Sequence, residues 1–305
     1  MTVLGAVLPI FAIILAGYVF ARMRQLGADA VTVLNAYVVW VALPALLFDF
    51  VAEADWATLA QPRFVLVFAT SMLAIFGVSL ISGNQRLARR SIDALAASYS
   101  NTAYLGIPLA GALLGPTGTA AAVIASLLTV CALFALSVML VEIDLAPRVP
   151  VARRIGGVAL SVVRNPLVAA PLAGGLWAVT GLAMPFAPQM FLKLLGQTAS
   201  PVALVTIGVF LAQPRARSSA IDLGRAVCLK LVAQPLVTLA LLLIFPLPRP
   251  WAAAALLIAA LPTGTGPFMV AQLYAQDVTL TARTILVTTV LSVFSVTALA
   301  WWLVG

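Results

Sequence analysis

Two short polar stretches interrupt apolar runs that are long enough to cross a membrane, and they constrain the fold of this chain more than any other feature. They read SNTAYLGIP at 100–108 and PTGTGP at 262–267. Broken backbone at bilayer depth is costly, because freed N–H and C=O groups find no water there. Two such breaks at matching places in the two halves of one chain are typical of a transporter's substrate site.

The composition excludes a soluble protein. Hydrophobic residues make up 63% of the chain and charged residues 9%, whereas soluble domains carry roughly a quarter charged residues. Histidine is absent, which excludes histidine-based catalysis and most catalytic zinc sites. Cys131 and Cys228 lie inside apolar runs, where buried thiols are ordinary packing residues. We expect no catalytic residue, metal or cofactor.

A window of about 20 residues predicts an all-α, polytopic membrane protein with ten transmembrane helices. The spans are 3–21, 31–50, 62–82, 93–114, 118–141, 165–183, 190–212, 223–246, 251–274 and 280–303. The first apolar run has no positively charged segment before it, so we interpret it as a retained span rather than a signal peptide.

The distribution of Lys and Arg predicts the orientation of these spans. Thirteen arginines lie in alternate loops, and only Arg63, Lys193 and Arg249 lie on the opposite side. The arginine-rich side is therefore expected to face the cytoplasm, with both termini outside. The net charge of +8 follows from topology and does not indicate nucleic-acid binding. The excess of Arg over Lys, with abundant Ala, favours a bacterial inner membrane.

The ten spans divide into a first five-helix repeat at 1–145, a central cytoplasmic loop at 146–164, and a second repeat at 165–305. Because five is odd, the second repeat must enter the membrane from the opposite side, as an inverted repeat. Three internal similarities occur in the same order in both halves. They pair VALPALLFDF with TASPVALVTI, IPLAGALLG with GPFMVAQLY, and TAAAVIASLLTV with TARTILVTTVLS.

The residues of the two breaks predict an anion site. Pro108 and Pro267 are expected to start the second half-helices, since proline suits the first helical position. Each start presents free N–H groups and a positive dipole end, which bind anions. Hydrogen bonds are expected from Asn101, Thr102, Tyr104, Thr263 and Thr265, and close backbone approach at Gly106, Gly264 and Gly266. The simplest ligand is a carboxylate.

Lys230 and Gln234 lie four residues apart within span 8. A lysine at this depth is expensive unless it faces protein or a water-filled cavity. One interpretation is a positive charge on the route of the anion, or a charge that is neutralised and restored during transport. The other is a lysine that extends its ammonium to the membrane surface. The sequence leaves both open.

Several motifs resemble the auxin efflux carrier family, in its bacterial branch with malonate and malate permease-like members. They occur in the expected order along essentially the whole chain: LPALLF (43–48), SNTAYLGIPL (100–109), RNPL (164–167), SPVALVTIGVFLA (200–212), LKLVAQPL (229–236), ALPTGTGP (260–267) and TTVLSVFSV (288–296).

The resemblance implies two inverted five-helix repeats in which helices 4 and 9 are broken and cross, with the substrate carboxylate at the crossing. It places Asn101 and Pro108 at the first crossover and Pro262 and Pro267 at the second. It also implies a scaffold of spans 1, 2, 6 and 7 that pairs into a homodimer, and a transport core of the other six. Unlike plant members, this chain has threonines rather than asparagine in the second crossover, and no long hydrophilic central loop.

Three classes of function remain at this stage. The first is a secondary transporter of small mono- or dicarboxylates, such as malonate, malate or auxin-like acids, working by alternating access. The second is a sodium-coupled bile-acid-type symporter, which the absence of an acid in the second break disfavours. The third, an intramembrane enzyme or sensor, would need a cluster of reactive groups that the sequence lacks. Proton coupling and potential-driven uniport stay open.

Overall fold

The described part of the structure, a computed structural model, consists of helices and their connections. It covers residues 3–24, 28–53, 60–145, 166–212 and 219–304. Within these ranges there is no β-strand, and the only β-type pairing is an isolated bridge. The predicted all-α class is therefore confirmed, whereas the predicted central loop at 146–164 lies outside the described residues.

Fourteen α-helices are described, and several of them continue one another through π-helical turns. In the first half they are α1 (Val3–Arg24), α2 (Ala28–Tyr37), α3 (Leu43–Ala52), α4 (Pro62–Ser82), α5 (Leu87–Ser98), α6 (Ile107–Ser126) and α7 (Phe134–Leu145). In the second half they are α8 (Pro166–Val179), α9 (Phe186–Leu211), α10 (Ala220–Cys228), α11 (Gln234–Ile244), α12 (Arg249–Ala259), α13 (Gly266–Leu273) and α14 (Thr279–Val304).

Six helical stretches in the described residues are long and apolar enough to cross a membrane, so the chain is a multi-pass membrane protein. They are Asp29–Ala52, Pro62–Ser82, Leu109–Leu145, Phe186–Leu211, Ala220–Ile244 and Thr279–Leu299. The stretch from Leu109 to Leu145 bends at Gly115, whose φ of 65° and ψ of −148° lie outside the helical region. Because Gly115 lacks a Cβ it adopts this conformation without strain, and Pro116 follows it. The bend separates the predicted spans 4 and 5.

The half-helices α5 and α12 are buried at the centre of the molecule. Ala94 to Ala97 on α5, and Ala254, Ala255, Ile258 and Ala259 on α12, have no exposed surface. Small residues let membrane helices approach closely, because association there depends on packing rather than on the exclusion of water. The small residues therefore let neighbouring helices pack closely on both half-helices, α7 on α5 and α6 on α12.

Ion pairs join loops that lie far apart in sequence at one end of the molecule. Arg89 pairs with Asp277 at 3.3 Å, and Arg86 pairs with Asp144 at 3.6 Å. The Arg225 guanidinium also donates to the Ser82 carbonyl at 3.1 Å. A separate pair, Lys193 with Glu53 at 2.9 Å, joins α9 to the end of α3.

Asp277 makes one of these contacts responsive to pH. Partial burial raises the pKa of its carboxyl, but hydrogen bonds from Thr279 and the nearby Arg89 outweigh this and hold the pKa below its usual value of 3.8. A lowered native pKa stabilises the fold above the unfolded value, and this stabilisation is lost as pH falls through the native value.

We therefore expect Asp277→Asn to lower the thermal stability of the detergent-purified protein at pH 7. The loss should be below about 1 kcal/mol, because the Asp277 carboxylate is more than half exposed to solvent. As the pH falls through the lowered native pKa, the wild-type carboxyl becomes protonated, and the difference between the two proteins should shrink. Melting curves measured from pH 7 downward test the effect, and a difference that stayed constant with pH would contradict it.

Candidate functional site

The two breaks cross at an antiparallel β-bridge between Ser100 and Thr263. The Asn101 N–H donates to the Pro262 carbonyl at 2.8 Å, and the Gly264 N–H donates to the Tyr99 carbonyl at 3.0 Å. The two bonds flank Ser100 and Thr263, which lie opposite each other as a non-hydrogen-bonded pair of an antiparallel ladder. Each break therefore provides hydrogen-bond partners for the backbone that the other break has freed.

The second break leaves several further groups to be satisfied. In a continuous helix the Thr263 N–H would bond the carbonyl of Ala259, four residues earlier. Instead it donates to the Thr288 hydroxyl oxygen of α14 at 3.1 Å. The Ala259 carbonyl is taken by the Lys230 ammonium at 2.8 Å. The Thr263 hydroxyl, in turn, donates across the crossing to the Ala96 carbonyl at 2.9 Å.

The first break corrects one sequence-based expectation. The chain leaves α5 at Tyr99, and the Thr102 N–H donates to the Ser100 carbonyl at 2.8 Å around Asn101, whose φ of −76° and ψ of 63° define an inverse γ-turn. Helix resumes as a π-helical turn at Thr102–Gly106. The second half-helix therefore starts at Thr102 and not at Pro108, because the π-turn, rather than proline, initiates it.

The side chains of Tyr104 and Pro108 lie outside the described residues. In the second break, by contrast, α13 begins at Gly266 with Pro267 as its second residue, which is within one residue of the predicted start. Its eight residues run away from the crossing, and its positive dipole end lies at the bridge.

A small cleft opens beside the crossing. Its polar lining comes from both breaks, and its apolar lining includes Leu43 and Leu46 of α3. The other lining residues are Tyr99, Ser100, Asn101, Thr102, Ala103, Val130, Gly264, Thr265, Gly266 and Met269. The structure thus brings four predicted site residues to one cavity: Asn101, Thr102, Gly264 and Thr265.

The other predicted site residues have different surroundings. Thr263 is fully buried and engaged in the crossing, and the Pro262 carbonyl belongs to the bridge. Gly106 is packed so closely that a Cβ there would lie 2.9 Å from the Leu261 side chain. The lining of the cleft does not include Gly106, Pro262, Thr263 or Pro267. Their roles in this structure are to shape the two breaks.

Hydrogen-bond donors without partners gather at the cleft. The buried hydroxyls of Ser100 and Thr102 have no partner among the described residues. Within the same ranges, the N–H groups of Thr265 and Gly266 have no acceptor. A buried polar group without a partner costs about 1–3 kcal/mol. Among the described residues no Asp, Glu, Lys or Arg lines the cleft, so the donors can accommodate an anion without a competing carboxylate.

Tyr99 is a site residue that sequence reasoning missed. Its ring lies against the second break, so that a Cβ on Gly264 would be 2.9 Å from Tyr99 Cε1 and one on Gly266 would be 2.7 Å from Tyr99 Cζ. The ring also packs edge-on against Phe134, with centroids 6.3 Å apart. These glycines therefore make room for a ring. The sequence did contain a signal for this role, because Tyr99 is an aromatic residue directly before the polar stretch that begins at Ser100.

Lys230 and Gln234 are both fully buried, but neither lines the cleft. Of the two interpretations left open for Lys230, the structure contradicts extension to the membrane surface, because the Lys230 Nζ donates inward to the Ala259 carbonyl at the end of α12. Both side-chain amide atoms of Gln234 lack a partner among the described residues. Within these residues no group of acids, cysteines or histidines could hold a metal ion.

Comparison with known proteins places this chain among transporters. The family described as "Membrane transport protein" matches residues 2–300. A "Putative malonate transporter" of Rhizobium meliloti is 30% identical over 302 residues, which are 97% of this chain and 94% of that protein. An "Uncharacterized transporter YfdV" of Escherichia coli is 26% identical over 245 residues, 77% of each chain.

The packing of Tyr99 on the second break predicts a specific pair of variants. Gly266→Ala should destabilise the protein by about 1–3 kcal/mol, as overpacking in a core does. Adding Tyr99→Ala should recover part of that loss, because the added methyl group then meets no ring. Thermal unfolding measures both variants.

Gly77→Ala is the matched control, because a Cβ at Gly77 meets nothing within 4 Å. It should leave the melting temperature nearly unchanged. If Gly266→Ala were equally harmless, or if Tyr99→Ala gave no recovery, the described contact between ring and glycine would be wrong.

Proposed function

Because the chain belongs to the membrane transport protein family, which is the auxin efflux carrier family that its motifs resemble, we propose that it is a secondary transporter of small organic anions. It carries mono- or dicarboxylates across the membrane by alternating access. Its relatives are named as transporters, and the chain is a transport protein rather than an enzyme.

One observation carries the choice of an anion: the cleft offers donors and no acid. The free N–H groups of Thr265 and Gly266 stand at the start of α13, where a helix dipole favours negative charge. Ser100 and Thr102, whose hydroxyls have no partner among the described residues, line the same cavity. A carboxylate, with two acceptor oxygens, would satisfy groups that are otherwise costly to bury.

The size of the cleft supports alternating access. Its volume of about 20 Å³ is room for roughly one water molecule, so a dicarboxylate enters only after the site widens. The cleft lies between the crossing and α3, with Leu43 and Leu46 on the far wall. Movement of the crossing relative to α3 would open it, in keeping with transporters whose repeats move against each other.

Malonate is the first substrate to test, because the relative at 30% identity carries that name. Malonate has two carboxylates on one carbon, and the cleft has two kinds of donor, backbone N–H groups from one break and hydroxyls from the other. Malate, other short carboxylates and auxin-like acids share the same chemistry and form the rest of the proposed substrate class.

We propose ten spans in two inverted repeats, and the bridge supports this arrangement because it pairs one residue of each predicted break. Ser100 belongs to the first half, and Thr263, which lies 263 − 100 = 163 residues later, belongs to the second. The ion pairs from Arg86 and Arg89 join loops predicted to be cytoplasmic, while Lys193 and Glu53 belong to loops predicted to be external.

We also propose the remaining features that the family implies. The protein resides in a bacterial inner membrane with both termini outside, and it pairs into a homodimer through scaffold helices. The sodium-coupled bile-acid-type alternative has less support, because no carboxylate lines the cleft and oxygen-rich cation sites generally contain one.

Asn101→Ala should reduce transport at least about tenfold without lowering membrane abundance, since it removes a polar group aimed at the substrate. A Pro267 replacement should do the same by altering the start of α13. Uptake of labelled malonate into proteoliposomes measures the effect. Asn84→Ala, an exposed asparagine outside the cleft, is the matched control, and normal transport by both test variants would place the site elsewhere.

Thermal stability in the presence of substrates tests the proposal directly. A bound ligand stabilises the native state by mass action, so malonate, malate or indole-3-acetate should raise the melting temperature of the wild-type protein. Asn101→Ala should abolish that rise. If amino acids or sugars stabilised the protein while no carboxylate did, the proposed substrate class would be wrong.

A further inference from the structure

Lys230 occupies an unusual position for a charged residue in a membrane protein. Its side chain has no exposed surface, and its Nζ donates to the Ala259 carbonyl at 2.8 Å. Ala259 is the last residue of α12, and its carbonyl has lost its helical partner because the Thr263 N–H bonds Thr288. The ammonium therefore lies at the C-terminal end of a half-helix, inside the molecule.

The end of a helix at which carbonyls lack partners carries a partial negative charge. In transporters with broken helices, such ends and their unwound carbonyls coordinate the coupling cation. The Lys230 Nζ thus lies at the same kind of helix end that binds the coupling cation in those transporters. Among the described residues no acid forms an ion pair with Lys230, so its recorded electrostatic partner is the helix end.

The corresponding position of the first break is filled differently. The Ala96 carbonyl lies four residues before Ser100, just as the Ala259 carbonyl lies four residues before Thr263, and Ser100 and Thr263 form the bridge. Ala96 receives the neutral Thr263 hydroxyl at 2.9 Å, whereas Ala259 receives an ammonium. A hydroxyl is therefore sufficient to satisfy such a carbonyl, and the cation at Ala259 requires a separate explanation.

Gln234 is a second buried polar residue on the same helical segment as Lys230. It follows Lys230 by four residues, it is fully buried, and neither of its side-chain amide atoms has a partner among the described residues. Its amide oxygen is a typical ligand for hard cations. The Ser71 hydroxyl donates to the Gln234 carbonyl at 3.2 Å, which fixes the backbone beside it.

We propose that Lys230 is a built-in substitute for a coupling cation, so that the protein transports its anion without Na⁺. This inference rests on the proposed function, because it states that the proposed anion transport does not require Na⁺. The ammonium keeps the end of α12, and hence the second break, in the shape that the crossing needs. Lys230 is accordingly a positioning residue, because it acts on the site through the backbone.

The test compares cation dependence in the wild type, Lys230→Ala and Lys230→Met. Thermal stability and anion uptake are measured in choline chloride, then with added Na⁺, K⁺ or ethylammonium. The wild type should give the same values in all four solutions. Both variants should lose at least about tenfold in uptake in choline, because an unpartnered carbonyl remains at the crossing.

Lys230→Ala leaves a cavity beside the Ala259 carbonyl, and an added cation can fill it. We therefore expect Na⁺ or ethylammonium to restore part of the uptake and melting temperature of Lys230→Ala. Lys230→Met fills the same space without a charge and should not recover. A merely structural role in packing would give the opposite ranking, with Lys230→Met near wild type in every solution.

Lys193→Ala is the matched control, because it removes an exposed lysine that pairs with Glu53, and its uptake should show no cation dependence. The proposal is overturned if wild-type uptake requires Na⁺ or if Lys230→Met transports normally. It is also overturned if no added cation raises the uptake or the melting temperature of Lys230→Ala. If a variant fails to fold, the cation dependence of wild-type uptake still tests the proposal. Failure of the wild type to transport any carboxylate would instead refute the proposed function, and the melting temperatures would still test Lys230.

Discussion

The structure depends on one requirement: backbone groups freed at a break inside a membrane protein must find partners other than water. The bridge between Ser100 and Thr263 meets it by letting each break supply the other, through two bonds of 2.8 and 3.0 Å. Neither break is stable alone, because each lacks the partners that the other holds.

The bridge does not satisfy every freed group, and the remaining ones have different consequences. Thr288 and Lys230 take the Thr263 N–H and the Ala259 carbonyl from outside the crossing. Two N–H groups and two hydroxyls stay without partners and line the cleft. In the proposed function, these unsatisfied groups at the crossing are the ones that the anion would bind, which would link the cost of the break to transport.

Much of the architecture could be predicted from the sequence, and particular residues show why. Prolines, glycines and hydroxyl residues in long apolar runs marked both breaks, and Pro267 marked the start of α13 to within one residue. Pro108 misled the corresponding prediction, because the helix resumes through a π-turn at Thr102–Gly106. A π-turn depends on which carbonyl accepts two nearby N–H groups, here that of Asn101, and no pattern of residue types reveals this.

The sequence by itself determined that the chain is helical, spans a membrane several times and breaks its helices at 100–108 and 262–267, because hydropathy and local backbone preference are properties of short segments. Only the tertiary structure decided which groups meet at the breaks. It packs the Tyr99 ring against Gly264 and Gly266. It also brings the Lys230 Nζ to the Ala259 carbonyl instead of the membrane surface. These contacts join residues far apart in the chain, and their energy depends on distance and burial, which a linear sequence does not contain.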